Sequence, residues 1–110
     1  MKEFPLDHIA VVSRDLEADA AFYARLGFTV EKFDADWAML RDANGRGIAL
    51  LSPGGAHPPH FALRAASREA VESVANDCGG HAADHRDGSV SVYVKDPSGN
   101  TVELIYYPEN

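Results

Sequence analysis

The pattern of hydrophobic and polar positions predicts one helix and four short strands in the first half of the chain. Residues 6–12 form a β-rich run with alternating character, which favours a strand. Ser13 or Asp15 can then cap a helix, and Gly27 ends it. The helix has an apolar stripe of Leu16, Ala20, Tyr23 and Leu26. Further strands are predicted over residues 28–33, 37–41 and 47–52, with a hairpin turn at Asn44-Gly45.

The second half repeats this order after a linker rich in Pro and Gly at residues 53–58. Ser67 can cap a helix that runs to Cys78 and ends at Gly79. Strands are predicted over residues 60–65, 81–85, 89–95 and 100–106. We therefore expect a single domain over residues 1–110, made of two repeats at residues 5–53 and 58–108. The expected fold class is α+β, with two βαβββ modules pairing into a curved mixed sheet around a cleft.

The two repeats place three metal-binding side chains at corresponding points. Residues 6–12 correspond to residues 58–64, and His8 and His60 occupy the same position in these segments. Glu103 lies in the last strand of the second repeat, between apolar neighbours, where a buried carboxylate needs a cation or strong donors. Each residue alone could be an ordinary strand side chain. Together, two imidazoles and one carboxylate predict a divalent-metal site with open positions.

Composition and charge exclude several other classes of function. The net charge is −7, and Lys and Arg are scattered, which argues against nucleic acid and against an anionic membrane surface as partners. No apolar run reaches the length of a membrane span, and residues 1–5 lack an apolar signal core. The single Cys78 cannot form an internal disulfide. We therefore expect a cytoplasmic protein.

Three segments resemble the vicinal oxygen chelate superfamily, and the resemblance covers almost the whole chain. They are LDHIAV at residues 6–11, AFYARLGF at residues 21–28 and YVKDPSGNTVEL at residues 93–104. The superfamily includes glyoxalase I, extradiol dioxygenases, bleomycin-resistance proteins and fosfomycin-resistance transferases. The resemblance implies the paired-module fold, and it does not by itself fix the reaction, because one scaffold hosts several chemistries.

The resemblance also implies which residues bind the metal. Carried onto this chain, the ligand positions of the family are His8, Ala49, His60 and Glu103. Alanine cannot coordinate a metal, whereas glyoxalase I proteins carry Glu or Gln at the position of Ala49. The chain is therefore similar to the three-ligand members. The implied cofactor is a divalent ion, with iron(II) as the first choice and manganese(II), zinc(II) or nickel(II) as alternatives.

Two further residues are similar to catalytic residues of extradiol dioxygenases. In that family a His precedes a Tyr, a Pro-Gly turn and the ligand Glu, and this chain has His85, Tyr93 and Glu103 in that order. The resemblance implies that His85 is an acid–base residue and that Tyr93 is a donor beside the metal. The chain departs from the family pattern at Ala83. From the residues alone, His85 could equally lie in a surface loop and Tyr93 could equally be a packed strand aromatic.

These observations predict a metal-dependent enzyme that acts on a small molecule. The preferred reaction is a dioxygenase-type oxidation of a vicinal diol or catechol-like compound. The first alternative is a glyoxalase-type lyase or isomerase, and the second is a metal-free binding protein of the bleomycin-resistance type. A fosfomycin-type transferase is disfavoured, because Ala10 stands where that class usually carries a hydroxyl residue. The resemblance also implies a homodimer.

Overall fold

The computed structural model of the protein describes residues 4–55 and 57–108. The first three residues of the N-terminal segment used to predict localisation lie outside these ranges. Within them, two helices and eight strands follow one another along the chain. Their bounds are β1 Leu6–Val12, α1 Leu16–Ala24, β2 Thr29–Phe33, β3 Trp37–Arg41, β4 Gly47–Leu51, β5 His60–Arg64, α2 Arg68–Cys78, β6 Ala83–Asp84, β7 Val90–Lys95 and β8 Thr101–Tyr106.

The eight strands form one mixed sheet in the order β2-β3-β4-β1-β5-β8-β7-β6. The pairs β1–β4 and β5–β8 are parallel, whereas β2–β3, β3–β4, β6–β7 and β7–β8 are antiparallel. Each half contributes the order strand, helix, three strands. The predicted α+β class and the predicted order of elements are therefore confirmed.

The chain divides into two compact units, whose boundaries fall between Leu6 and Asp7 and between His60 and Phe61. We call residues 7–60 the N-terminal unit, and we call the described residues 4–6 and 61–108 the C-terminal unit. These boundaries cut through β1 and β5, so they do not coincide with the predicted repeat limits of residues 5–53 and 58–108. The repeat limits stay a prediction.

The core of the N-terminal unit lies between α1 and the strands β3 and β4. Asp15 is the N-cap of α1, and its side chain accepts a hydrogen bond from the backbone N–H of Ala18. The buried residues that meet there are Ala20, Ala38, Leu40 and Leu50. Leu26 is an error of the predicted stripe: it follows the last helical residue and is 61% exposed.

The core of the C-terminal unit lies between α2 and the strands β7 and β8. Ser67 caps the helix by accepting from the backbone N–H of Ala70, and Gly79 ends it in the left-handed conformation at φ 73°, as predicted. The largest buried apolar side chains there are Val71, Val90, Val92, Val102 and Leu104. Because side chains alternate along a strand, Ser91 and Tyr93 point to the opposite face of β7 from this core.

The short strand β6 is an error of the sequence prediction. It covers only Ala83–Asp84, whereas residues 81–85 were expected. His85 instead begins the turn to β7, since its N–H donates to the carbonyl of Ser89 and its carbonyl accepts from the N–H of Gly88. The turn therefore removes His85 from the strand, and this places its imidazole in a loop.

The two turns that precede β4 and β8 are built in the same way. Asp42 Oδ1 accepts from the backbone N–H groups of Asn44 and Arg46. Asp96 Oδ1 accepts in the same manner from Ser98 and Asn100. At Asp42 the largest cause that lowers the carboxyl pKa is the bond from the Arg46 backbone. At Asp96 the largest cause is a further bond, which the Asn100 side-chain amide donates to Oδ2 and which also lowers the carboxyl pKa. The correspondence between residues 42–51 and 96–105 is thus present at the level of backbone geometry.

We predict that Ser67→Ala lowers the free energy of unfolding by about 0.5–2 kcal/mol, because the substitution removes the acceptor for the first turn of α2. Ser67→Asp retains a capping oxygen and should stay near the wild type. Ser98→Ala is a matched control, since the Ser98 backbone rather than its side chain supports its turn. Urea unfolding measures all three, and equal stabilities for Ser67→Ala and Ser98→Ala would contradict the prediction.

Candidate metal centre

His8 lies on β1 at a point where the neighbouring strand leaves room for it. The parallel register pairs His8 with Gly47 of β4. A Cβ atom on Gly47 would lie 2.9 Å from His8 Cβ, 2.9 Å from Arg41 Nη1 and 3.0 Å from Met39 Sδ. Glycine at this position therefore permits the close approach of three side chains. His8 is 5% exposed, so its imidazole is buried.

The tautomer of His8 follows from the neighbour of its Nδ1 atom. Nδ1 lies 2.7 Å from Oδ2 of Asp7, a carboxylate that is itself buried. Arg41 Nη1 lies 3.3 Å from the same oxygen, which favours the ionised carboxylate. An ionised carboxylate can only accept, so Nδ1 of His8 carries the proton and donates it. With Nδ1 directed at Asp7, Nε2 is the nitrogen through which His8 would bind a metal ion.

His60 begins β5, and the preceding linker fixes its ring in the same tautomer. Its Nδ1 lies 2.8 Å from the backbone carbonyl oxygen of Pro58. A carbonyl oxygen can only accept, so Nδ1 of His60 is the donor of this contact, and Nε2 is again the nitrogen that would bind a metal ion. The two imidazole rings approach edge to face, with centroids 5.6 Å apart and an angle of 73° between their planes. Both histidines are thus preorganised as Nε2 ligands.

Glu103 is the acidic residue of the candidate centre. It lies on β8, is 4% exposed and stands opposite Tyr93 of β7 in the antiparallel register. The pKa of Tyr93 is raised well above its ordinary value, first by burial and then by the negative charge of Glu103 and the hydrogen bond between the two side chains. Tyr93 therefore stays a neutral phenol at physiological pH and donates its proton to the carboxylate.

His8, His60 and Glu103 form a group of buried side chains that could hold a metal ion. One ligand atom of each lies within 4.8 Å of those of the other two. The donor types match a two-histidine, one-carboxylate site, which leaves coordination positions open for other molecules. Two imidazoles and one carboxylate are donor types that a divalent cation accepts, so the donor set fits such an ion. The sequence prediction named these three residues as metal ligands, and that role stays a prediction.

Ala49 is the residue to which the family resemblance in the sequence assigned a fourth ligand position. It is 4% exposed and lies in the sheet between Ala10 of β1 and Met39 of β3. These residues form an apolar cluster, with Trp37 and Leu51 packed against it. The side of the N-terminal unit that a fourth ligand would occupy is therefore apolar.

His85 is exposed in the loop between β6 and β7, and its Nε2 lies 2.8 Å from Oγ of Ser91. Ser91 is buried and pairs with Ile105, while Tyr93 pairs with Glu103. Because Ser91 and Tyr93 share one face of β7, the Ser91 contact holds the His85 imidazole at the face that carries Tyr93 and Glu103. The acid–base role of His85 and the donor role of Tyr93 stay predictions.

Sequence reasoning missed three groups that orient the site. They are the Asp7 carboxylate beside His8, the Pro58 carbonyl beside His60 and the Ser91 hydroxyl beside His85. Asp7 gave the only readable signal, because an acidic residue in an otherwise apolar strand must find a partner if it is buried. The other two contacts depend on loop conformation, which a pattern of residue types does not encode.

The comparison with family models assigns the chain to a family. The chain belongs to the Glyoxalase/Bleomycin resistance protein/Dioxygenase superfamily, whose model matches residues 5–104. This is the vicinal oxygen chelate superfamily that the sequence motifs indicated. No curated protein sequence is similar enough to this chain to count as a match.

Several solved structures share the fold. Homoprotocatechuate 2,3-dioxygenase from Arthrobacter globiformis is 20% identical with a TM-score of 0.74, over 92% of this chain and 37% of that one. 2,2',3-Trihydroxybiphenyl 1,2-dioxygenase from Sphingomonas wittichii is 26% identical with a TM-score of 0.67, over 92% of this chain and 41% of that one. Methylmalonyl-CoA epimerase is 22% identical with a TM-score of 0.67, over 96% of both chains.

The chain thus spans about a third of the length of the homoprotocatechuate dioxygenase chains that it matches. It spans nearly the full length of the epimerase. Within the part of the chain that the structure describes, the helices are too short or too polar to cross a membrane.

We predict that Tyr93 ionises only in strongly alkaline solution when the protein is free of metal. The difference between the absorbance titrations of the wild type and Tyr93→Phe should show a phenol that titrates well above the ordinary pKa of about 10. In Glu103→Gln the same phenol should titrate earlier, yet still above 10, since burial is the larger cause of the shift. A difference titration centred near 10 in the wild type would contradict the described environment of Tyr93.

Proposed function

We propose that this protein is a divalent-metal-dependent enzyme acting on a small molecule, with His8, His60 and Glu103 as the protein ligands. The observation that carries the proposal is the burial of these three donors within 4.8 Å of one another. The Nδ1 atoms of both histidines face acceptors, Asp7 Oδ2 and the Pro58 carbonyl, so Nε2 is the nitrogen that each would present to a metal ion. Family membership supports the same ligand positions.

The preferred activity is the oxygen-dependent oxidation of a vicinal diol or catechol-like compound. Iron(II) held by two imidazoles and a carboxylate supplies open positions for a bidentate substrate and for dioxygen. Ala49 adds no fourth donor, so the apolar cluster of Ala10, Met39 and Ala49 offers a surface for a ring instead. Two of the similar structures are dioxygenases by name, and a further one is called an extradiol ring-cleaving dioxygenase.

The proposed roles of His85 and Tyr93 follow from their protonation and position. Tyr93 keeps its hydroxyl proton because burial and Glu103 raise its pKa. When substrate binds, the hydroxyl would turn this proton from Glu103 to a substrate oxygen beside the carboxylate. His85 is exposed and can exchange protons with solvent, while Ser91 holds its ring in place. Together these groups would bind the diol and carry its protons away.

The second candidate activity is a lyase or isomerase reaction. It is favoured by the epimerase structure, which matches this chain over 96% of both lengths, whereas the dioxygenase chains are much longer. Such a reaction needs a base to move a proton at carbon, and the alanine at position 49 supplies none. A metal-free binding protein is the third candidate, and it gives no reason for two buried histidines beside a buried glutamate.

We predict that anaerobic loading with iron(II) gives roughly stoichiometric metal in the wild type and little in His60→Ala or Glu103→Gln. Removal of one of three donors should weaken binding strongly, since it leaves only two protein ligands. His81→Ala is the matched control, because His81 is exposed. Metal analysis after desalting measures the content. Equal iron in wild type and His60→Ala would remove His60 from the site, and iron-free wild type would favour the binding protein.

We predict that the iron-loaded protein consumes dioxygen when a catechol is added, and that Tyr93→Phe slows this reaction about 10- to 100-fold while it retains iron. An oxygen electrode follows the reaction, and a hemithioacetal and a 2-substituted acyl-CoA thioester serve as alternative substrates. Turnover of either alternative without oxygen consumption would contradict the dioxygenase and establish the lyase or isomerase class.

The substrate would be the principal partner, and the homodimer and the cytoplasmic location stay predictions. Sedimentation equilibrium at micromolar concentration tests the dimer directly, since it reports mass independently of shape.

A further inference from the structure

The carboxylate of Asp7 is placed between a metal-site histidine and an arginine. Its side chain is 1% exposed, although it carries a charge. One oxygen, Oδ2, lies 2.7 Å from Nδ1 of His8 and 3.3 Å from Nη1 of Arg41. A buried carboxylate is tolerated when such partners compensate the loss of water. The interactions that stabilise the carboxylate also fix its direction toward His8.

Arg41 is itself held in a fixed position at the end of β3. Nη1 donates to the backbone carbonyl oxygens of Asp7 and Gly45, each at 3.1 Å. Its Nε lies 3.5 Å from Oε1 of Glu31 on β2. Gly45 belongs to the turn between β3 and β4 and adopts φ 81°. Arg41 therefore connects Asp7 to a defined turn and to a neighbouring strand within the N-terminal unit.

His60 provides an internal comparison, because its Nδ1 atom faces a different kind of acceptor. The Pro58 carbonyl is neutral and belongs to the backbone, whereas Asp7 is a charged side chain. A hydrogen bond to a charged acceptor is roughly twice as strong as a neutral one. The two histidines are thus oriented by acceptors of different strength, and only that of His8 can be removed by a single side-chain substitution.

We propose that Asp7 is a positioning residue of the metal centre, which fixes His8 as an Nε2 ligand and raises its strength as a donor, and that Arg41 holds Asp7 in place. The proposal rests on the proposed metal-dependent function. A carboxylate that accepts from the remote nitrogen of a metal-binding imidazole fixes the ring and increases its basicity. Neither residue touches the substrate or the reacting atoms in this account.

The tautomer of His8 is measurable without any metal. In two-bond ¹H–¹⁵N correlation spectra of the metal-free protein, we expect His8 to carry its proton on Nδ1. Asp7→Ala should release the ring toward the Nε2–H tautomer, which predominates for free histidine in water. Asp7→Asn retains an amide oxygen that can accept, so it should keep the Nδ1–H form. An Nε2–H tautomer in the wild type would overturn the proposal.

Zinc(II) binding, measured by competition with a chromophoric chelator, tests the effect on the metal. Asp7→Ala should weaken zinc binding roughly 10- to 100-fold. Asp7→Asn should lie between Asp7→Ala and the wild type, because its acceptor is correctly placed but uncharged. Asp77→Ala, at an exposed aspartate of α2, is the matched control and should bind like the wild type. A folded Asp7→Ala with wild-type zinc affinity and tautomer would overturn the proposal.

Two further outcomes are decisive. If Asp7→Ala does not fold, Asp7→Asn carries the test, and an Asn variant that binds zinc as tightly as the wild type overturns the role of the charge. If the wild type binds no zinc at all, the proposed function fails. A shift of His8 from the Nδ1–H to the Nε2–H tautomer in Asp7→Ala would still establish that Asp7 controls this ring. Failure of the positioning role and failure of the metal function are therefore distinguishable.

Discussion

The burial of ionisable side chains in the strands is the constraint on which the rest of the structure depends. His8, His60 and Glu103 are all at most 9% exposed, and Asp7 is 3% exposed. Charged and strongly polar groups are placed in such positions only when specific partners replace water. Each Nδ1 atom faces an acceptor, and Glu103 receives the Tyr93 hydroxyl. Two imidazole Nε2 atoms and one carboxylate are donor types that a divalent cation accepts.

The sheet places these donors by simple rules of register. Gly47 lies opposite His8 and allows the imidazole and the Arg41 guanidinium to approach the strand closely. In the C-terminal unit, α2 covers one face of β7 and β8, so Tyr93 and Glu103 must occupy the other face. In the two turns before β4 and β8, the side chains of Asp42 and Asp96 each accept the same pair of hydrogen bonds from backbone N–H groups, which fixes the starts of these strands. The register of the strands therefore determines to which face of the sheet each side chain of the site points.

Much of this could be predicted from the sequence, because it follows from local patterns. Alternation and capping residues predicted most helices and strands with bounds close to the observed ones. The internal repeat indicated His8, His60 and Glu103 as candidate ligands. The errors at Leu26 and at residues 81–85 have local causes: α1 ends before Leu26, and the turn at His85 shortens β6. The position of Asp7 in the strand indicated that it needs a partner, but which partner it has could not be derived, and neither could the contacts of Pro58 and Ser91, because they depend on loop conformation or on a cross-strand contact.

The family resemblance supplied the ligand positions, while the reaction depends on residues around them. Ala49 cannot coordinate a metal, and the surrounding apolar cluster of Ala10 and Met39 agrees with the proposed site, which offers a surface rather than a further donor. The similar structures include both dioxygenases and an epimerase at comparable TM-scores, so the fold alone does not decide between them. In the proposed function, the type of reaction depends on Tyr93, on His85 and on the coordination positions that the three ligands would leave open.

The most direct test of the central claim is a crystal structure of protein soaked with manganese(II) or loaded anaerobically with iron(II), with anomalous scattering used to locate the ion. The account predicts a single strong peak at about 2.0–2.3 Å from Nε2 of His8, Nε2 of His60 and a carboxylate oxygen of Glu103. A peak bound through other residues, or no peak among these three side chains under loading conditions, would contradict it.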